Sequence, residues 1–220
     1  MTDLPPPPPP WSAPQPSGGS PDVGAALSYG WNKFQANVGP LLAVILIPAA
    51  SQLVLSLLGR TIIHSLAAAF LFQVLGTVVG AVAGLGIYRV ALMITAGEPV
   101  SVGKAFEYDR WGEWIVFSFV FGLMVGVGLV ACIIPGLFVL AYFGLAPFYF
   151  IDGRLSLGDS LSASRQAVQS KGLAFPILLS IIVGGLGLIA CFVGVFITEP
   201  IAYIAVAFLY RYAAGQPVAA

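Results

Sequence analysis

The chain alternates between long apolar stretches and short polar breaks, at a spacing that suits membrane helices. A helix crossing the hydrocarbon core needs about 20 apolar residues. Gly39 to Leu58 supplies a first such run, with Pro48 inside it as a kink. Ser65 to Ala96 supplies a longer second, which must tilt or reach into the headgroups. Trp114 to Cys132 forms a third and Gly136 to Ile151 a fourth, separated by the turn Ile134-Pro135-Gly136. The apolar run from Leu173 to Tyr212 is too long for one crossing and divides near Cys191 to Gly194. Six spans are expected.

Between these runs lie shorter amphipathic segments. Leu27, Trp31 and Phe34 recur at helical offsets with Lys33 and Asn37 off the stripe. Leu157, Leu161, Ala163 and Val168 stand against Asp159, Arg165 and Lys171 in the same manner. Such helices suit the membrane interface, and Trp111 and Trp114 suit the headgroup belt. Three of the segments resemble one another: Val23-Gly24-Ala25-Ala26-Leu27, Val102-Gly103-Lys104-Ala105-Phe106 and Leu157-Gly158-Asp159-Ser160-Leu161. Ala96-Gly97-Glu98-Pro99-Val100 is echoed by Ala214-Gly215-Gln216-Pro217-Val218, and Gly128-Leu129-Val130-Ala131-Cys132 by Gly187-Leu188-Ile189-Ala190-Cys191. The expected architecture is therefore all-α and polytopic: three parallel repeats, each a short interfacial helix followed by a transmembrane hairpin.

Composition agrees with this pattern. Apolar residues make up 59% of the 220 and charged residues 8%, where a soluble domain has about 25% charged. Lipid must cover much of such a surface. Nine basic and nine acidic residues cancel, so nothing points to nucleic acid as a partner. Lys33, Arg89, Lys104, Arg110, Arg154, Arg165, Lys171 and Arg211 fall on one side of the expected topology, and Arg60 on the other. By the positive-inside rule both termini are cytoplasmic. Heavy use of Ala, Gly, Val and Pro, with Arg above Lys, suggests a GC-rich bacterial source.

Residues 1–21 read as a disordered proline-rich cytoplasmic tail, 22–214 as the six-helix domain and 215–220 as a short cytoplasmic end. The N-terminus lacks the basic-then-apolar order of a secretory signal. Pro5, Pro6, Pro7, Pro8, Pro9 and Pro10 favour polyproline II, and with Trp11 they form either a docking peptide for an aromatic groove or a plain flexible tether.

Certain motifs look familiar in their order. They are Ala26-Leu27-Ser28-Tyr29-Gly30-Trp31-Asn32-Lys33-Phe34, then Ile134-Pro135-Gly136-Leu137-Phe138, then Leu145-Ala146-Pro147-Phe148-Tyr149-Phe150-Ile151-Asp152-Gly153. The ending from Gly194 through Thr198-Glu199-Pro200 to Tyr210-Arg211 completes the series. Over about residues 22 to 214 the chain resembles YciC-like bacterial membrane proteins and the membrane domain fused to some glycerophosphodiester phosphodiesterases. The resemblance implies a six-span membrane domain, with its last turn before Thr198-Glu199-Pro200, and no defined activity.

Candidate functional residues are few. Gly76, Gly80 and Gly84 form one small-residue ridge and Gly122 and Gly126 another, suited either to packing within the bundle or to an oligomer seam. Cys132 and Cys191 occupy equivalent repeat positions on the more oxidising side, as a candidate disulfide or as small buried thiols. His64 stands without grouped metal ligands and reads as an interfacial polar residue. Glu199 before Pro200 either favours the helix N-terminus through the dipole or carries a proton or cation. Arg89 and Arg211, beside Tyr88 and Tyr210, snorkel to the interface or meet anionic headgroups. Asp109 with Glu113, and Asp152 with Asp159, have no nucleophile or metal set beside them and read as solvated. No catalytic machinery, cofactor site or metal site is expected. The expected partners are membrane lipid and either a second copy or another membrane protein, and the expected role is a scaffold, with a transporter or lipid-handling protein as the rival.

Overall fold

A computed structural model describes residues 22–62, 66–187 and 194–219 of the chain. Pro5 to Pro10, Trp11, His64 and Cys191 lie outside these residues. Among the described residues every regular element is helical: α1 (Val23–Ala36), α2 (Val38–Ile62), α3 (Leu66–Ala96), α4 (Val102–Phe106), α5 (Trp111–Ala131), α6 (Ile133–Phe143), α7 (Ala146–Ile151), α8 (Leu157–Lys171), α9 (Ala174–Leu186) and α10 (Val195–Ala214). Five segments are long and apolar enough to cross a membrane: 38–59, 71–96, 111–131, 133–151 and 195–214. A sixth follows if α8 and α9, bent by 111° at their junction, count as one broken span. Taken alone, the 13 residues of α9 reach only about 20 Å.

The helix at the centre is α10, which packs against α1, α3 and α9. Its Ile204, Ala205, Ala207 and Leu209 are wholly enclosed, and the small alanines let neighbouring backbones come near. Much of α2 and α5, by contrast, faces outward with exposed Leu53, Leu57, Val116, Phe119, Leu123 and Val127.

Local chemistry sets the breaks. The reversal between α5 and α6 falls at Cys132, which is extended (φ −173°, ψ 146°). The turn expected at Ile134-Pro135-Gly136 is instead the first turn of α6, where proline fits because its missing N–H would have no helical partner. A second break, at Gly144 and Leu145, divides the fourth run into α6 and α7. It strips carbonyls of their helical donors, and the Ser164 hydroxyl of α8 supplies one by donating to the Tyr142 carbonyl (2.9 Å). Ser156 caps α8, accepting from the Asp159 amide (3.2 Å) and donating to its carboxylate (2.6 Å). Gly172, at φ 65°, ends that helix in the left-handed region open to glycine.

The amphipathic faces are rotated from the expected ones. On α1 the buried positions are Val23, Ala26, Gly30 and Phe34, while Trp31 is 46% exposed. The reason is a backbone crossing, since a Cβ on Gly30 would lie 2.6 Å from the Ile201 carbonyl of α10. Only a face with no side chain at position 30 can meet α10 there. On α8 the buried stripe is Ser160, Ser164 and Val168, with Leu157 and Leu161 half-buried. Trp114 is not a headgroup anchor either. It is 2% exposed, with its indole N–H donating to the Ala81 carbonyl of α3 (2.7 Å).

Candidate functional site

At one end of the bundle the connecting segments fold together. Arg211, near the end of α10, donates through Nε to Thr95 Oγ1 (2.9 Å), through Nη1 to Gln216 Oε1 (3.2 Å) and through Nη2 to the Leu92 carbonyl (3.3 Å). Asp152, just beyond α7, accepts from the Tyr210 hydroxyl (2.7 Å) and Gln216 Nε2 (3.0 Å). Residues after Gly215 turn back, so that the Ala219 amide donates to the Thr95 carbonyl (2.9 Å) and its carbonyl accepts from the Tyr29 hydroxyl (3.0 Å). Burial pushes the Tyr29 phenol up to about 12, against the opposing pull of Arg211. Arg154 pairs with Asp109, Arg110 with Glu113, and Arg89 donates to the Glu107 carbonyl. The hydrogen bond from Arg154 holds the Asp109 carboxyl below the usual carboxylate range, and burial raises the Tyr108 phenol.

A cleft of about 260 Å³ lies among Arg89, Glu98, Asp152, Arg154 and Arg211. Both charges are present and several of these groups are already held by neighbours, so the cleft works as a polar clamp on the helix ends. The acids expected to be solvated are exposed, and each also has a polar partner: Asp109 and Glu113 an arginine, Asp152 Tyr210 and Gln216, and Asp159 Ser156. Among the described residues no three His, Cys, Asp or Glu side chains group as metal ligands.

Two cavities lie between helices. One, of about 660 Å³, separates α2 from α3 and is lined by Gln52, Ser56, Gln73 and Thr77. Gln52 donates across it to the Gly76 carbonyl (2.8 Å). The other, of about 340 Å³, is walled by α3, α5, α6, α7, α9 and α10. Its lining is apolar apart from the Glu199 carboxylate and the phenols of Tyr88 and Tyr203. Glu199 is the fifth residue of α10 and Pro200 the sixth, so neither stands in the first turn where the dipole reading would put them. Thr198, one turn in, donates instead to the Gly184 carbonyl of α9 (2.7 Å).

The ridge glycines divide into two groups. A Cβ on Gly76 or Gly80 would meet the Gln52 amide at 3.7 or 3.8 Å, and one on Gly84 would meet Trp114 at 3.7 Å. These are ordinary contacts between helices of this chain. A Cβ on Gly122 or Gly126 would meet nothing within 4 Å. Closer approaches fall at glycines that the ridge pattern does not contain, Gly30, Gly86 and Gly184 among them. There a Cβ would lie 2.6 Å from the Ile201 carbonyl, 2.7 Å from the Phe106 ring and 2.8 Å from the Ala202 Cβ. Cys132 is exposed between α5 and α6.

Mycobacterial proteins are similar to this chain. The uncharacterized protein Mb2590 of Mycobacterium bovis is 28% identical, across 89% of this chain and 70% of its own length. The uncharacterized protein Rv2560 of Mycobacterium tuberculosis matches with the same identity and coverage. No family model matches the chain, and no solved structure does. The similarity runs through most of the helical region and carries no assigned activity with it.

Proposed function

We propose that this chain is a six-span protein of the bacterial cell membrane, without catalysis of its own, that binds a second membrane helix along the outward side of α5. The observation that carries this reading is the open surface at Gly122 and Gly126, where no atom lies within 4 Å of a built Cβ. Exposed Phe119, Leu123 and Val127 flank it. In lipid, small residues let a partner backbone approach closely, and packing rather than hydrophobicity drives the association.

The topology within this proposal has its own support. The helices succeed one another as α1 then α2 and α3, α4 then α5 and α6–α7, α8 then α9 and α10, an order that suits three parallel repeats and a YciC-like membrane domain. Contacts gather Arg89, Arg110, Arg154, Lys171 and Arg211 at one end of the bundle. The positive-inside rule assigns that end, with both termini, to the cytoplasm. The proline-rich residues 1–21 then serve as a recruiting tail.

The test is affinity purification in mild detergent of the wild type, of a chain lacking residues 1–20 and of the double variant Gly122→Leu/Gly126→Leu, read by mass spectrometry and cross-linking. A second copy or a stoichiometric membrane partner that leaves with the leucine variant, while thermal stability holds, supports the reading. An unchanged assembly in that variant defeats it.

A second reading, a lipid-handling or transporting protein, draws on the apolar cavity that holds Glu199.

A further inference from the structure

The cavity of about 340 Å³ lies along one stripe of α10, formed by Val195, Glu199, Ala202, Tyr203 and Val206. These positions follow the helical repeat, so the cavity extends about 16 Å along the helix axis. It is an elongated slot rather than a round void, at the small end of the range for ligand sites.

Glu199 is the one charged residue in its wall. The carboxylate is half-buried, and it makes no ion pair or hydrogen bond to a described residue. A carboxylate inside a membrane-spanning segment is costly and calls for a partner. Beside it in the wall stands a cluster of rings. Tyr88 meets Tyr203 edge to face with centroids 5.0 Å apart at 89°, and meets Phe148 at 5.1 Å and 88°. The rings pack edge to face on one another and leave the carboxylate as the one charge in an otherwise apolar slot, a combination that favours cations with apolar bodies. A neutral acyl chain would fill the slot and leave the carboxylate unpaired. An anion would be repelled.

We infer that this slot is a binding site for a lipophilic monocation, its charge held by Glu199, its apolar body lying along α10 beside Tyr88 and Tyr203. The inference deepens the second reading and is separate from helix association at α5, which cross-linking reads and ligand binding does not.

The experiment is equilibrium binding of decyltrimethylammonium to the purified full chain in dodecyl maltoside, against decyl sulfate, which has the same chain and the opposite charge. Saturable binding of the cation alone is expected. Glu199→Gln weakens it by about tenfold or more, Glu199→Asp retains part of it, and Leu140→Trp, which fills the slot and keeps the carboxylate, abolishes it. Equal binding of cation and anion, unaltered affinity in Glu199→Gln, or no saturable binding of the cation would each overturn the inference. Should Glu199→Gln not fold, Leu140→Trp and the comparison of the two ions still decide.

Discussion

The indole N–H of Trp114 donates to the carbonyl of Ala81 at 2.7 Å, tying α5 to α3 inside an otherwise apolar contact. Around it, the Trp114 ring lies 5.5 Å from that of Phe117 and 5.8 Å from that of Tyr88. Phenylalanine at position 114 keeps most of the packing and drops the hydrogen bond, at a cost of about 0.6–1.7 kcal/mol. Alanine opens a cavity as well and costs about 3–5 kcal/mol. Thermal unfolding in detergent, or chemical denaturation from mixed micelles, checks both values and their order.

Glycines on these helices are not equivalent, and leucine substitution separates them. Gly30→Leu drives a side chain into the Ile201 carbonyl of α10 and should lower stability by about 1–3 kcal/mol or more. Gly126→Leu meets open space and should leave the melting temperature of the isolated chain unchanged. A pair of melting curves decides the matter, and equal losses would refute the assignment.

Arg211 holds the turned-back residues 216 and 217 as well as Thr95 and Leu92. Lysine cannot reproduce a fork that serves several acceptors at once. In Arg211→Lys the Ala219 amide, bonded to the Thr95 carbonyl in the wild type, should exchange with solvent about tenfold faster. Hydrogen exchange resolved to the last ten residues is the measurement.

Ser164→Ala leaves the Tyr142 carbonyl without its donor at the α6–α7 break. The expected cost is about 1–3 kcal/mol, the desolvation penalty of a buried unpaired acceptor. Limited proteolysis of the segment between α7 and α8 should quicken in the variant, whereas the neighbouring exposed Ser162→Ala should change nothing.

The Asp109–Arg154 pair gives a pH signature at the polar end. Arg154 lowers the Asp109 carboxyl pKa in the folded chain. Its contribution is therefore present above the unfolded carboxylate value and fades as pH falls through the folded one, so acid releases the pair and base does not. Carboxyl carbon NMR should find Asp109 titrating below the ordinary range, and Arg154→Ala should return it there. Because both side chains are exposed, thermal stability at neutral pH should barely move.

The positions of the apolar spans were legible because bilayer thickness dictates their length, and runs such as 39–58 and 114–132 satisfy it with few polar residues. The end where basic loops gather was legible for a related reason, since charge is excluded from the spans. What stayed hidden depends on contacts between distant segments. The break at Gly144 becomes tolerable only because Ser164, in another helix, serves the Tyr142 carbonyl, and local sequence shows no sign of that. The buried stripe of α8 carries Ser160 and Ser164 beside Val168, so a hydrophobic pattern finds only Val168 and the half-buried Leu157 and Leu161 at its edge. Gly30 follows no small-residue spacing, and its role arises from the Ile201 carbonyl across the bundle. Glu199 reads locally as an acid at a helix start, but its place in a ringed slot with Tyr88 and Tyr203 follows from the packing of α3 against α10.

The crossing of α1 over α10 bears on how the molecule is made. Gly30 leaves the ribosome roughly 170 residues before the Ile201 carbonyl it is shaped to meet, an interval of about 10–30 s at ordinary rates of synthesis. Through that time α1 has its amphipathic face but not its helical partner, and the membrane surface is the natural place for it to wait. Its seam with α10 can close only after the intervening helices have been threaded, so the earliest made of these helices is among the last to be seated.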